Sequence, residues 1–211
     1  MTAQILVLAK TPVPGRVKTR LCPPCTPAQA ARIAAAALVD TVNAVSATPA
    51  AGRTLVVDGD LPAPPGWSRV VQRGDRLGER LAYAYADTAV PGRAALLIGM
   101  DTPQAGPRLL ARAITALGGD DVDAVLGLAE DGGWWALGLK DPSHAQVLPE
   151  VPMSTAETGA RTLVALADRG LRVAALPSLT DVDTVAAARV VAALCPPGSR
   201  FTATVTAELG A

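Results

Sequence analysis

Aromatic residues are scarce: one Phe, two Tyr and three Trp make up 3% of a 211-residue chain in which half the residues are hydrophobic. Such a core must be built from Ala, Val and Leu. Cysteine is equally sparse, and three residues are too few and too oddly numbered for a disulfide framework. Neither charge dominates. Lys and Arg together number 19 against 19 Asp and Glu, which argues against nucleic acid as a partner, because such proteins carry a basic excess. No apolar run approaches the roughly 20 residues of a membrane span. The opening run, Ile5 to Ala9, is too short for a signal-peptide core. The expectation is a cytoplasmic protein that forms one domain over residues 1–211.

Cys22-Pro23-Pro24-Cys25 has dithiol spacing, but the two prolines read as a loop stop, and Cys195 and His144 stand too far off to complete a metal set. Thr26 looks like a helix cap, with Pro27 at the first helical position and Gln29 completing a capping box.

Strand-like and helix-like runs alternate along the chain. Strands are expected at Ile5–Ala9, Arg53–Asp58, Arg69–Gln72, Ala94–Gly99, Asp123–Ala129, Trp134–Leu139 and Leu171–Leu176. Helices are expected near Pro27–Val45, Leu77–Thr88, Gly106–Leu117, Ser154–Arg169 and Val185–Leu194, with Ser154 capping the fourth and Glu157 completing its box. The pattern predicts an α/β fold with a mixed, mostly parallel sheet of about seven strands. The Trp134 strand follows its neighbour too closely for a parallel crossover and should run antiparallel. The tail after Pro196 shows weak alternation from Phe201 to Val205, fit for an edge strand or a loose end.

Four polar clusters follow strands that should be parallel, so all four should meet on one rim of the sheet. The first is the loop after strand one, where Arg16, Lys18 and Arg20 would project from one side of an extended chain. Cations so crowded need an anion between them. Arg grips phosphate oxygens bidentately and Lys acts as a point charge, so this loop is the candidate phosphate site. Gly15-Arg16-Val17-Lys18-Thr19 lacks the glycine before lysine of a true P-loop. The candidate nucleotide-binding set is Ala9, Lys10, Thr11, Gly15, Arg16, Lys18 and Arg20.

Asp101 ends a wholly apolar strand, where a carboxylate is costly unless it caps a helix or holds a cation. It is the candidate ligand for Mg²⁺ or Mn²⁺, with Asp183 as its partner across the rim. Asp121-Val122-Asp123 repeats the spelling but precedes its strand and reads as a turn. In Asp131-Gly132-Gly133-Trp134-Trp135, Asp131 is the candidate base or orienter of an acceptor. Gly132 and Gly133 would let a ligand approach the backbone. Only one Trp can wall the site, and Trp134 is assigned to it. Arg76, opening a helix, is a further candidate for contacting the sugar or acceptor.

LAKTPVPGRVKTRL, GDRLGERL, IGMDTP, EDGGWWALGL, MSTAETGARTL and DVDT, in this order, resemble the bacterial DUF2064 family across about Ile5 to Ala193. That family is glycosyltransferase-A-like and belongs to the nucleotide-diphospho-sugar transferase superfamily; some members are assigned to arsenosugar biosynthesis. KTRL alone also looks like 2-phospho-lactate guanylyltransferase. The resemblance implies a nucleotide at the end of strand one and a divalent metal on Asp101. The chain lacks the LAAGxGxRM signature of sugar nucleotidyltransferases, and Asp-Thr-Pro stands where glycosyltransferases of this fold usually carry DxD.

The expected activity is metal-dependent glycosyl transfer from a nucleotide-diphosphate sugar to a small-molecule acceptor, with Asp101, Asp131 and Lys18 as catalytic candidates. The alternative is nucleotidyl transfer from a nucleoside triphosphate to a phosphorylated small molecule, and a further one is a nucleotide-binding domain without catalysis.

Overall fold

The structure, a computed structural model, describes residues 3–210. Three end residues of the expected domain, Met1, Thr2 and Ala211, lie outside them.

Short apolar runs bounded by Gly, Pro and Asp form the strands: β1 (Ala3–Lys10), β2 (Gly52–Asp58), β3 (Ser68–Val71), β4 (Ala94–Gly99), β5 (Ala124–Ala129), β6 (Trp134–Leu139) and β7 (Val173–Leu179). They make one seven-stranded sheet in the order β3-β2-β1-β4-β6-β5-β7. β6 is antiparallel to β4 and β5, and every other pairing is parallel. The turn between β5 and β6 leaves no room for a crossover helix.

The helices are α1 (Pro27–Ser46), α2 (Leu77–Thr88), α3 (Pro107–Leu117), α4 (Thr158–Ala167), α5 (Val185–Leu194) and α6 (Arg200–Leu209). Alternate strand residues point to opposite faces. Ile5, Val7, Leu55 and Leu96 pack with Ala34 and Leu38 of α1 and Leu110 of α3. On the other face Leu6, Val56, Leu97 and Leu137 pack with Leu81 and Tyr85 of α2 and Leu166 of α4. The sparsity of aromatics finds its reason in α1, which is covered on both sides. Its Ala30, Ile33 and Ala37 meet Val191 of α5 and Phe201 of α6 in a third layer, and short side chains let sheet, α1 and outer helices approach one another. The Thr26–Gln29 capping box starts this helix as the sequence suggests. None of the helices among the described residues is long and apolar enough to cross a membrane.

Three local expectations are corrected. The tail after Pro196 is neither strand nor loose: Phe201 and Val205, four apart, both point inward from α6, and Ser199 accepts a capping bond from Thr202 N–H. Arg32 and Glu208 fasten that helix to α1 at 2.9 Å. The fourth helix begins at Thr158, because Ser154 takes a left-handed φ of 59° and cannot cap. Finally, between the strand ending at Leu139 and the fourth helix, where the pattern predicts no element, lies a 3₁₀ segment, Pro142–Glu150, packed beneath α2.

β1 feeds β2 on one side while β4 lies on the other, so the connections diverge between the carboxyl ends of β1 and β4. Open α/β sheets bind ligands at that crevice.

Candidate active site

The topology places the loops after β1, β4 and β7 and the β5–β6 turn on the same rim. Backbone bonds tie them together. Val182 N–H donates to the Asp101 carbonyl at 3.0 Å, and Glu130 N–H donates to the Leu179 carbonyl at 3.0 Å. Two adjoining hollows result, and Met100, Asp101 and Asp183 wall both.

The first hollow, about 250 Å³, is cationic: Lys10, Arg16, Lys18 and Arg20 line it together with Asp101 and Asp183. The chain is not extended here, which corrects the expected one-sided row. Lys18 has φ 47°, in the left-handed region, and this turns its side chain inward while Arg16 and Arg20 stay exposed. Only 8% of the Lys18 side chain is accessible, and its Nζ lies 2.8 Å from Asp101 Oδ1 and 2.9 Å from Asp183 Oδ1. Burial pulls the Lys18 pKa down, but the two carboxylates outweigh it and hold the ammonium above its ordinary value. Arg20 reaches Asp183 Oδ2 at 3.1 Å. Lys10 stands 3.8 Å from Asp58. Arg16 has no ion-pair partner among the described residues.

The second hollow, about 320 Å³, has an apolar wall that includes Leu8, Leu77, Leu81 and Leu97, and an acidic mouth of Asp101, Asp131, Asp181 and Asp183. Oxygens of Asp131, Asp181 and Asp183 all lie within 4.8 Å of one another. Asp131 Oδ1 accepts from Gly133 N–H at 2.8 Å. Burial, and then the charges of Asp183 and Asp131, push the Asp181 carboxyl up to about 6. This crowding of negative charge is what a bound cation would relieve. All-oxygen donors suit a hard ion such as Mg²⁺ or Mn²⁺, so the residues present fit one.

Trp134 and Gly133 border this second hollow. Trp135 lines the hollow as well, which corrects the expectation of a single Trp, but its indole turns to the other face, where Nε1–H donates to the Pro177 carbonyl at 2.9 Å and the ring lies where a Cβ on Gly127 would be. Ala9, Thr11, Gly15, Gly132 and Arg76 line neither hollow. The Ala9 carbonyl accepts from Gln72 Nε2 at 2.8 Å, and the Arg76 guanidinium pairs with Glu79 at 2.9 Å. Gly132, with φ 88°, is pressed against the backbone at Ala156, and Gly159 N–H donates to its carbonyl at 2.8 Å. The chain that comes close to Gly132 is therefore the protein's own.

Reading the sequence missed Asp181 as a member of the acidic group and Met153, Ser154 and Thr155 as lining residues. Asp181 was findable, standing two positions before Asp183. The other three became visible only when the α4 entry turn folded over the β5–β6 turn.

The seven-stranded mixed sheet flanked by helices is the fold of the nucleotide-diphospho-sugar transferase class, as the structural likeness to a Desulfovibrio protein shows. The family model described as "Uncharacterized protein conserved in bacteria (DUF2064)" matches residues 30–155, and the chain belongs to that family. A structure from Desulfovibrio desulfuricans G20, provisionally named a nucleotide-diphospho-sugar transferase, is 27% identical with a TM-score of 0.87, over 98% of this chain and 95% of that one. CMP:2-keto-3-deoxy-manno-octonic acid synthetase complexed with CTP shares the fold at 13% identity and a TM-score of 0.59, covering 92% of this chain and 98% of that one. So does the manganese complex of Rv0371C from Mycobacterium tuberculosis H37Rv, at 21% identity and a TM-score of 0.52, covering 90% and 98%. No curated protein matches the chain in sequence.

Proposed function

We propose that this protein is a divalent-cation-dependent glycosyltransferase that takes a nucleotide-diphosphate sugar as donor and a small hydroxyl-bearing molecule as acceptor. One observation carries the reading. A cationic hollow and a carboxylate-mouthed hollow share the wall formed by Met100, Asp101 and Asp183 at the β1–β4 crevice. A donor lying across that wall would place its diphosphate among Lys10, Arg16, Lys18 and Arg20 and its sugar beside Gly133 and Trp134. Asp183, with Asp101 on one side and Asp131 and Asp181 on the other, would hold Mg²⁺ or Mn²⁺. When bound, the cation would supply charge neutralisation at the departing diphosphate. Arg16, unpaired and exposed, is free to grip phosphate oxygens bidentately. Asp131, exposed at the mouth, would orient the acceptor hydroxyl and take its proton. The provisional name of the Desulfovibrio relative agrees with this reading.

Nucleotidyl transfer is the second reading, favoured by four cationic side chains in one small hollow, more than a diphosphate requires. A thermal-shift panel of nucleotide sugars, nucleoside diphosphates and nucleoside triphosphates, with and without Mn²⁺, separates the two. Stabilisation by a nucleotide sugar, followed by release of the nucleoside diphosphate on adding acceptors, supports glycosyl transfer. Preference for a triphosphate, with pyrophosphate released, overturns it.

A further inference from the structure

We infer that Lys18 is an internal counter-ion that occupies the divalent-cation site until phosphate arrives, making tight metal binding conditional on the nucleotide. The inference rests on the donor reading above for what the phosphate is, but its core concerns only Lys18 and two carboxylates.

The Lys18 ammonium sits between Asp101 and Asp183 at 2.8 and 2.9 Å. Both are close ion pairs, the one to Asp183 also a hydrogen bond, and they occupy one oxygen on each of two carboxylates that would receive the metal. A dication approaching Asp183 meets a buried positive charge already in place and an Arg20 guanidinium on the other oxygen, at 3.1 Å. Like charges at such separations repel strongly where water is excluded. The metal must therefore bind weakly or displace Lys18.

Displacement has a destination. Lys18 lines the cationic hollow as well as bridging the two carboxylates, so its ammonium lies on the boundary between metal and phosphate. Rotation about its flexible four-carbon stem exchanges carboxylate oxygens for phosphate oxygens without moving the sheet. Its backbone is one of only two non-glycine positions with positive φ among the described residues; the other, Ser154, lines the neighbouring hollow. Anion arrival removes the reason for Lys18 to stay, and its departure leaves Asp101 without its ammonium and Asp183 with Arg20 alone, both facing a cation. Metal and phosphate thus bind with positive coupling through one side chain.

The test is calorimetric titration of Mn²⁺ into nucleotide-free protein. Lys18→Met should bind Mn²⁺ alone at least tenfold more tightly than the native chain, because the competing charge is gone. Lys18→Arg, which keeps the charge, should bind it as weakly as the native chain. Lys18→Gln, which keeps N–H bonds to the carboxylates without the charge, replaces the Met variant should that one fail to fold by circular dichroism. Pyrophosphate at millimolar concentration should tighten Mn²⁺ binding to the native chain and do so much less in the neutral variants. Equal or weaker Mn²⁺ binding by folded Lys18→Met or Lys18→Gln overturns the inference, even where nucleotides bind normally. Tightening in the neutral variants, with no nucleotide bound by any form of the protein, sustains the Lys18 exchange and overturns the donor reading instead.

Discussion

The chain spells Asp-Val-Asp twice, at 121–123 and at 181–183, and the two copies have opposite fates. The first stands before β5, at the amino-end edge of the sheet. There Arg172 spans both of its carboxylates: Nη1 reaches Asp121 at 3.0 Å, and Nε reaches Asp123 at 2.9 Å. The Asp123 carboxylate also accepts from Arg172 N–H at 3.0 Å, and these bonds hold its pKa well below the usual carboxylate range. The second copy follows β7, at the carboxyl-end rim. Its Val182 is fully buried and pins the segment to the loop after β4 through the Asp101 carbonyl, while Asp183 shares a lysine with Asp101 and Asp181 is crowded by other carboxylates. One copy is a closed electrostatic unit. The other holds negative charge in place with too few partners, the condition expected of a site awaiting ligands.

The sharpest way to break the comparison is to remove one carboxylate from each copy. Asp183→Asn should weaken Mn²⁺-dependent nucleotide binding by on the order of a hundredfold, the scale at which losses around a metal site are felt. Asp123→Asn should leave that binding unchanged. Calorimetry on both variants decides it, and equal effects would mean that position on the rim carries no meaning. Asp101→Ala should follow Asp183→Asn, since both carboxylates share Lys18.

A smaller effect belongs to the cation hollow. Arg16 has no protein partner to lose, so Arg16→Ala should leave the melting temperature unchanged while weakening nucleotide binding about tenfold, the worth of one charge-assisted bond. A drop in stability without a change in affinity would place Arg16 with the structural residues instead. Next comes Gly132→Ala. The new methyl would collide with the carbonyl of Ala156 in a backbone that already needs positive φ, at a cost of roughly 1–3 kcal/mol. Urea denaturation measures it. A negligible loss would show that the α4 entry turn is free to move away from Gly132.

How much of this was legible follows from what sequence separation hides. β4 reads from AALLIG alone, because a strand buried on both faces is continuously apolar. The convergence of four loops followed from parallel strands without any contact being known. The charge of Lys18 was visible too, but its partner Asp183 lies 165 positions away, so the two carboxylates that hold its ammonium were hidden. Ser154 with Glu157 matched a capping box in letters. What overrode it was tertiary. Thr158 Oγ1 donates to the Pro152 carbonyl at 2.8 Å, and the helix starts against Gly132 instead. Phe201 and Val205 suit an alternating strand and a helix equally well until α1 supplies the surface they cover.

The finest test turns on the closed copy. Asp123 has a folded-state pKa below its ordinary 3.8, so its ion pairs with Arg172 stabilise the fold fully above that ordinary value. The contribution is lost as pH falls through it towards the depressed one. Asp123→Asn should therefore melt a little below the native chain at pH 7, and the gap should close as pH falls below about 4. Solvent reaches this cluster freely, with Asp121 fully exposed, so screening keeps the effect small and added salt should shrink it further. Melting curves from pH 7 down to pH 3, at low and high salt, read both dependences. A gap that stays constant with pH would mean that Asp123 acts through the shape of the turn it joins, not through its charge. The two Asp-Val-Asp copies would then differ in packing as well as in electrostatics.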